Sequence, residues 1–146
     1  MAPRRVLVTG MSGLIGGALR RHLEGTYELS ALNRRSIPGV KCHEADIADL
    51  EAIARHYADA YGLSAICVRI GRVRAEDRPT SAREFSVFCS QRDVVRMLEL
   101  CIAAPAALKF DIFYAVSDNR WGYRDLEHAR TVLGFEPRDR AEDYRP

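Results

Sequence analysis

The sequence predicts a doubly wound α/β protein built on a parallel sheet of about five strands. Three observations predict it. Short apolar runs alternate along the chain with segments whose apolar residues recur at helical spacing. A glycine-rich turn, Gly10-Met11-Ser12-Gly13-Leu14-Ile15-Gly16, joins the first apolar run to the first helical segment. The run 65–70 is almost continuously apolar, as a strand covered on both faces requires.

Each element has its own signal. Residues 4–9 are a short apolar run that ends in the glycine turn and read as a buried strand. In 13–24, Leu14, Ala18 and Leu19 share a helical face, with Arg20, Arg21 and Glu24 outside it; Gly25 closes the helix. Residues 27–33 give a second strand and 40–43 a short third. From 49 to 61, Leu50, Ile53, Ala54, Tyr57 and Tyr61 recur at helical spacing up to Gly62, a register that places Tyr57 in the core. The fourth strand is 65–70. Residues 72–89 are polar and Arg-rich and read as a long functional loop, with Ser81 and Glu84 spaced for a local helix cap. Ser90-Gln91-Arg92-Asp93 opens the next helix, 93–103, in capping-box register, and its stripe is Val94, Val95, Leu98, Cys101 and Ile102. Residues 110–116 form the fifth strand. Leu126, Ala129 and Leu133 mark a last helix, stopped by Gly134 and Pro137.

Composition narrows the function. With 146 residues, 47% of them hydrophobic and 29% charged, the chain has material for one core, and residues 1–146 are expected to form a single domain. The net charge of +2 argues against a nucleic-acid partner. No apolar run approaches the ~18 residues of a membrane span, and the opening MAPRRVLV lacks a signal-type apolar region. Cys42, Cys67, Cys89 and Cys101 have neither C-x-x-C spacing nor a histidine at ligand distance, so buried free thiols, a cytoplasmic location and no metal are expected.

The glycine turn carries the chemistry. At a strand-to-helix junction the first glycine allows the tight turn, the second lets a diphosphate approach the backbone, and the third permits close helix packing. The amides at the helix start then hold the phosphate charge. Thr9, Gly10, Ser12, Gly13, Leu14, Ile15 and Gly16 are therefore the expected pyrophosphate cradle of a Rossmann-type cofactor site. The second strand ends Asn33-Arg34-Arg35, where an acid would accept from the ribose 2′-OH of the unphosphorylated dinucleotide. Two guanidinium groups stand there instead, suited to a 2′-phosphate, with Asn33 adding a neutral hydrogen bond. NADP(H) is expected over NAD(H), which stays the alternative. Asp46 can accept from the adenine amino group, or cap the following helix, while Ile47 packs on the ring.

These residues bring a family into view. Val8-Thr9-Gly10-x-x-Gly13-x-x-Gly16 with Ala45-Asp46-Ile47 resembles the NAD(P)-dependent epimerase/dehydratase family, the extended short-chain dehydrogenases. Ala54-Arg55-x-Tyr57-x-x-x-Tyr61-Gly62, Val68-Arg69-Ile70-Gly71, Ser90-x-Arg92-Asp93-Val94-Val95 and Leu133-Gly134-Phe135-x-Pro137 are similar to the same family, and especially to its uronate dehydrogenase branch. Between Asp46 and Arg69 that family carries two further strands, a catalytic Ser or Thr, and Tyr-x-x-x-Lys. Here one helix, 49–61, spans the gap, as if the start of one family helix were joined to the end of another. The fourth residue after Tyr27, Tyr57, Tyr61, Tyr114 and Tyr123 is Ala31, Tyr61, Ala65, Asp118 and Glu127, and Tyr144 stands too near the last residue. Against 20 Arg there are only two lysines, Lys41 and Lys109, neither near enough to a tyrosine to lower its pKa in the family's way.

A helix-to-helix join keeps a strand–helix–strand crossover, so the sheet order 3-2-1-4-5 can still close. Alternatively a second chain supplies the lost edge, and a homodimer is the expected assembly. Gly71, at the end of the fourth strand, is placed for the nicotinamide side of the cofactor, and Arg72 beside it for substrate. Arg92 is a further substrate candidate, for a sugar carboxylate, unless it is merely solvated while Asp93 completes a helix cap. A replacement proton donor from His56 or Tyr57 is weaker, since the helix register turns Tyr57 inward. Trp121 and Tyr123 read as a packing pair. The resemblance implies an NAD(P)(H)-binding protein without the Tyr-Lys machinery. An active oxidoreductase or epimerase on a sugar or sugar acid, using a non-standard or partner-completed site, and a non-catalytic interaction protein are the alternatives.

Overall fold

A computed structural model of the chain describes residues 4–33, 35–44 and 50–144, the side chains of 43, 44, 52 and 56 excepted. The chain divides into two compact units, Met1–Ala48 and Asp49–Pro146.

The first unit contains β1 (Arg5–Thr9), α1 (Leu14–Leu23), β2 (Glu28–Asn33) and β3 (Lys41–Glu44). The strands form a parallel sheet in the order β1-β2-β3, with Thr9 opposite Leu32 and Asn33 opposite Glu44. The helix buries Gly16, Leu19 and Leu23. This i, i+3, i+7 stripe corrects the expected face, because Leu14 sits in the first turn and is exposed. Arg20 and Arg21 occupy the last turn, where positive charge complements the helix dipole.

In the second unit α2 (Leu50–Tyr61), β4 (Ala65–Ile70), α3 (Gln91–Ala103), β5 (Phe110–Ala115) and α4 (Glu127–Leu133) follow in order, with short 3-10 turns at Ala82–Ser86 and Ala141–Tyr144. β4 and β5 pair in parallel from Ala65 opposite Phe110 to Ile70 opposite Ala115. Phe88, Val94, Met97, Phe113, Ala129 and Phe135 form its buried core. Gly62 and Gly134 close α2 and α4 with φ of +65° and +66°, a conformation that glycine adopts without a Cβ clash.

All five expected strands form and all their pairings are parallel, as a three-stranded and a two-stranded sheet that match the halves 3-2-1 and 4-5 of the expected order. Several local expectations are corrected. Tyr57 is 48% exposed and stacked on Tyr61, and Leu50, Ile53 and Tyr61 are exposed beside it. The face of α2 that is buried carries Ala58, roughly a quarter turn away. Ser81 makes no side-chain cap; Glu84 instead accepts from the Thr80 amide and hydroxyl at 2.8 and 3.2 Å. None of the four cysteines is in a disulfide, and only Cys89 is fully buried. Trp121 and Tyr123 are exposed, each beneath an arginine (Arg120 and Arg124), and do not pack on each other. No helix among the described residues is long and apolar enough to cross a membrane.

Candidate functional site

In the first unit the site is built at the carboxyl ends of β1 and β2. Thr9 ends β1, and Gly10 turns the chain with φ +69°. The Gly10 amide donates to the Leu32 carbonyl, and its own carbonyl accepts from the Gly13 amide, both at 3.0 Å. Gly13 is the N-cap of α1 in extended backbone, with no side-chain cap and no acid in the first turn. The amides of Leu14, Ile15 and Gly16 therefore have no acceptor within the helix. A Cβ on Gly16 would overlap the Cα of Met11 and the carbonyl oxygen of Gly10, so only glycine lets helix and loop pack this closely. The Met11 side chain is buried, while Ser12 is exposed.

Asn33 closes β2 and is 4% exposed. Its Nδ2 is 3.9 Å from the Cys42 sulfur and its Oδ1 has no protein partner, so one end of a buried amide is left for a ligand hydroxyl. Arg35 is exposed, and its carbonyl accepts from the Cys42 thiol. Arg34, Asp46 and Ile47 lie outside the described residues. The cradle that a Cβ would fill, the uncapped helix start and the orphaned amide fit the diphosphate and ribose of a dinucleotide.

A second site lies in the other unit, an open cavity of about 650 Å³ lined by Arg69, Gly71, Arg72, Arg83, Ser86, Tyr114, Tyr123 and Arg124. Gly71 continues β4, its amide donating to Ala115 at 2.9 Å, and a Cβ there would overlap the Val87 carbonyl. That close approach lets Arg72 bridge to Phe88, so the expected loop 72–89 is zipped onto the strand end.

Charge in the cavity is unbalanced. Arg69 donates through Nε and Nη2 to Glu51 at 2.9 and 2.8 Å, and through Nη1 to the Tyr114 hydroxyl at 2.9 Å. The Arg69 hydrogen bond holds Glu51 below the usual carboxylate range. That bond, and the nearby charges of Arg69 and Arg124, also lower the Tyr114 phenol. Glu84 is bound by Arg74, stands 3.3 Å from Arg72, and is held down to about 2, first by Arg74 and then by the Thr80 bonds against a desolvation that raises it. Arg124 lies over the Tyr114 and Tyr123 rings. Neither Arg83 nor Arg124 has a carboxylate partner among the described residues, so the cavity favours an anion.

The structure thus gathers Thr9, Gly10, Ser12, Gly13, Leu14, Ile15, Gly16 and Asn33 in one unit, and Gly71 and Arg72 in the other. Arg92 is not on the cavity wall. Its guanidinium pairs with Asp139, which also accepts from the Ser90 hydroxyl at 2.6 Å. Beside it Asp93 is fully buried and accepts from the Ser117 hydroxyl and the Arg138 amide at 2.6 and 2.8 Å. Sequence reasoning missed the roles of Tyr114, Arg83 and Arg124, which belong to three separate segments; the only signal for the two arginines was the excess of arginine over lysine.

This is a Rossmann-type α/β fold carrying a dinucleotide-type glycine turn. No family model matches the chain. It is 33% identical over 95 residues, 64% of its length, to the NAD-dependent glucose-6-phosphate dehydrogenase of Haloferax volcanii, of which the match covers 36%. Over 105 residues, 72% of the chain, it is 31% identical to the uronate dehydrogenase of Pseudomonas putida, covering 35% of it. The chain spans about a third of the length of these curated relatives. Its fold is similar to the crystal structure of uronate dehydrogenase from Agrobacterium tumefaciens, with a TM-score of 0.76, 21% identity, and 99% and 88% of the two chains covered. The glucuronic acid dehydrogenase of Chromohalobacter salexigens gives 0.73 and 16%, over 97% and 86%. The chain is a relative of the uronate dehydrogenases and of NAD-dependent glucose-6-phosphate dehydrogenase, within the NAD(P)-dependent epimerase/dehydratase superfamily.

Proposed function

We propose that the chain binds a nicotinamide adenine dinucleotide, NADP(H) in preference to NAD(H), and does so without the Tyr-x-x-x-Lys machinery of its relatives. The observation that carries this is the glycine cradle. Gly10 turns at positive φ, Gly16 admits no Cβ, and the start of α1 is left with neither cap nor acid. Those amides would hold the diphosphate, and the free end of the Asn33 amide would take a ribose hydroxyl. Arg35, an exposed cation two residues on, is in reach of a 2′-phosphate by sequence and supports the phosphorylated form. When bound, the nicotinamide supplies or takes up hydride. Fluorescence titration with NADPH and NADH tests the reading: NADPH is expected to bind at least about tenfold tighter, a difference of about 1.4 kcal/mol, and Gly16→Ala to abolish binding of both. Binding of neither cofactor by the parent chain would refute it, and equal affinity would remove the preference alone.

The cavity supports an active oxidoreductase as a second reading. Four arginines around about 650 Å³ suit a sugar-sized anion, and a carboxylate pairs bidentately with guanidinium. Gly71 would lie beside such a ligand as open backbone, with Arg72, Arg83 and Arg124 binding its charge. The relatives' names point the same way, toward sugar acids and sugar phosphates. Their partial cover fits a shortened form. We further propose a homodimer formed through the exposed stripe Leu50, Ile53, Tyr57 and Tyr61 of α2. Arg55 and Asp59 pair on the same helix, so a two-fold partner would offer each charge its opposite.

A further inference from the structure

We propose that Tyr114 is the proton-exchanging group of the cavity, giving its phenolic hydrogen to an oxygen of the bound ligand and taking it back in the reverse direction. This rests on the second reading above, that the cavity takes a sugar acid.

The argument begins with register. Tyr114 on β5 lies directly opposite Arg69 on β4, so their side chains share one face of the two-stranded sheet. Glu51 on α2 accepts from two of the Arg69 nitrogens and so orients its guanidinium. The remaining Nη1 donates to the Tyr114 oxygen at 2.9 Å. Arg124 approaches from the segment after β5, its guanidinium carbon 5.1 Å from the ring centroid. Guanidinium groups donate and never accept. The hydrogen of the phenol itself therefore has no acceptor in either neighbour, and the side chain lines the cavity.

The surrounding charges favour the phenolate. Arg69 faces it from β4 and Arg124 from the following segment, with Tyr123 beside it; Arg72 and Arg83 stand on the same cavity wall. From α2 the facing charge is Glu51, which is spent on Arg69. The phenol consequently ionises below its ordinary range. Tyr57, the tyrosine that the sequence offered for this work, is stacked on Tyr61 and is not on the cavity wall.

The step balances as acid–base chemistry. A ligand carbonyl that a nicotinamide, when bound, would reduce by hydride would carry an alkoxide oxygen. The Tyr114 O–H bond breaks, the ligand O–H bond forms, and the negative charge rests on the phenolate between Arg69 and Arg124 until water reprotonates it. In oxidation the phenolate takes the hydroxyl proton instead. Arg69 and Glu51 are positioning residues for this group.

Two measurements on the full chain test the proposal. The tyrosinate absorbance band, followed against pH, should show one of the six tyrosines ionising ahead of the others. Tyr114→Phe should remove that component, Arg69→Met should move it to higher pH, and Arg69→Lys should restore part of the shift. With glucuronate as the probe and NADP as oxidant, turnover should rise with pH through the same early ionisation. Tyr114→Phe should lower it about a hundredfold or more without changing NADPH affinity. The proposal is overturned if the early component survives in Tyr114→Phe, if the turnover profile is unchanged there, or if the parent chain binds NADPH yet never oxidises glucuronate. Failure of the parent chain to bind NADPH sinks the dinucleotide reading, and this one with it; intact binding with no early ionisation sinks only the role of Tyr114.

Discussion

Glu84 shows how much a single side chain organises. It is buried, accepts from Thr80 twice and from Arg74, and stands beside Arg72 on the cavity wall. Removing it leaves those donors facing a void, so Glu84→Ala should destabilise the fold by about 1–3 kcal/mol in urea unfolding at neutral pH. The Arg74 hydrogen bond holds its carboxyl down to about 2, below the ordinary carboxylate value of 4.5. The stability it contributes is therefore complete above about 4.5 and is lost as pH falls toward 2. Glu84→Gln should flatten that acid limb; a variant whose stability falls with acid as steeply as the parent's would contradict this. In the sequence Glu84 was visible only as the third residue beyond a serine, which suggested a cap. Spacing reports local partners, whereas Arg74 reaches Glu84 from ten residues away.

At the scale of the element, α3 has the serine cap that its sequence marked, but it starts at Gln91 rather than 93 and, of the expected stripe, fully buries only Val94, with Met97 beside it. Ser90 is the N-cap and accepts from the Asp93 amide at 3.0 Å. Asp93 serves more than its helix, since it also takes the Arg138 and Asp139 amides and so ties the C-terminal segment to the start of α3. Ser90→Ala should lower stability by about 1–2 kcal/mol, the usual range for a lost cap. Asp93→Ala should lower it by more, at least about 2 kcal/mol, because the buried Ser117 hydroxyl and two part-buried backbone donors lose their acceptor. The same denaturant series measures both, and an Asp93 effect no larger than that of Ser90 would show that the tail is held by other contacts. The opposite lesson comes from α2. Its apolar residues repeat at helical spacing and form a real helix, yet the stripe Leu50, Ile53, Tyr57 and Tyr61 is exposed while Ala58 is buried. Periodicity identifies a helix and its apolar side. It does not say whether that side meets the chain's own sheet or another molecule.

For the whole molecule, the exposed stripe on α2 carries the assembly prediction. Light scattering on the purified chain should give twice the mass of 16.4 kDa, and Ile53→Asp with Tyr61→Asp should return it to the monomer. A parent chain that stays monomeric at high micromolar concentration would rule the dimer out. The alternation of strands and helices, the parallel pairing and the glycine turn were all legible, because each is written in residues adjacent along the chain. The sequence by itself determined that this is a parallel α/β protein with a tight glycine turn at its first strand-to-helix junction, since backbone conformation at Gly10 and clearance at Gly16 are local demands that few residues meet. Only the tertiary structure decided which arginines share a cavity, that Tyr114 lies between two of them, and which side of α2 is left bare. Those facts depend on strand register and on helix rotation, which are set by contacts between residues far apart in the chain.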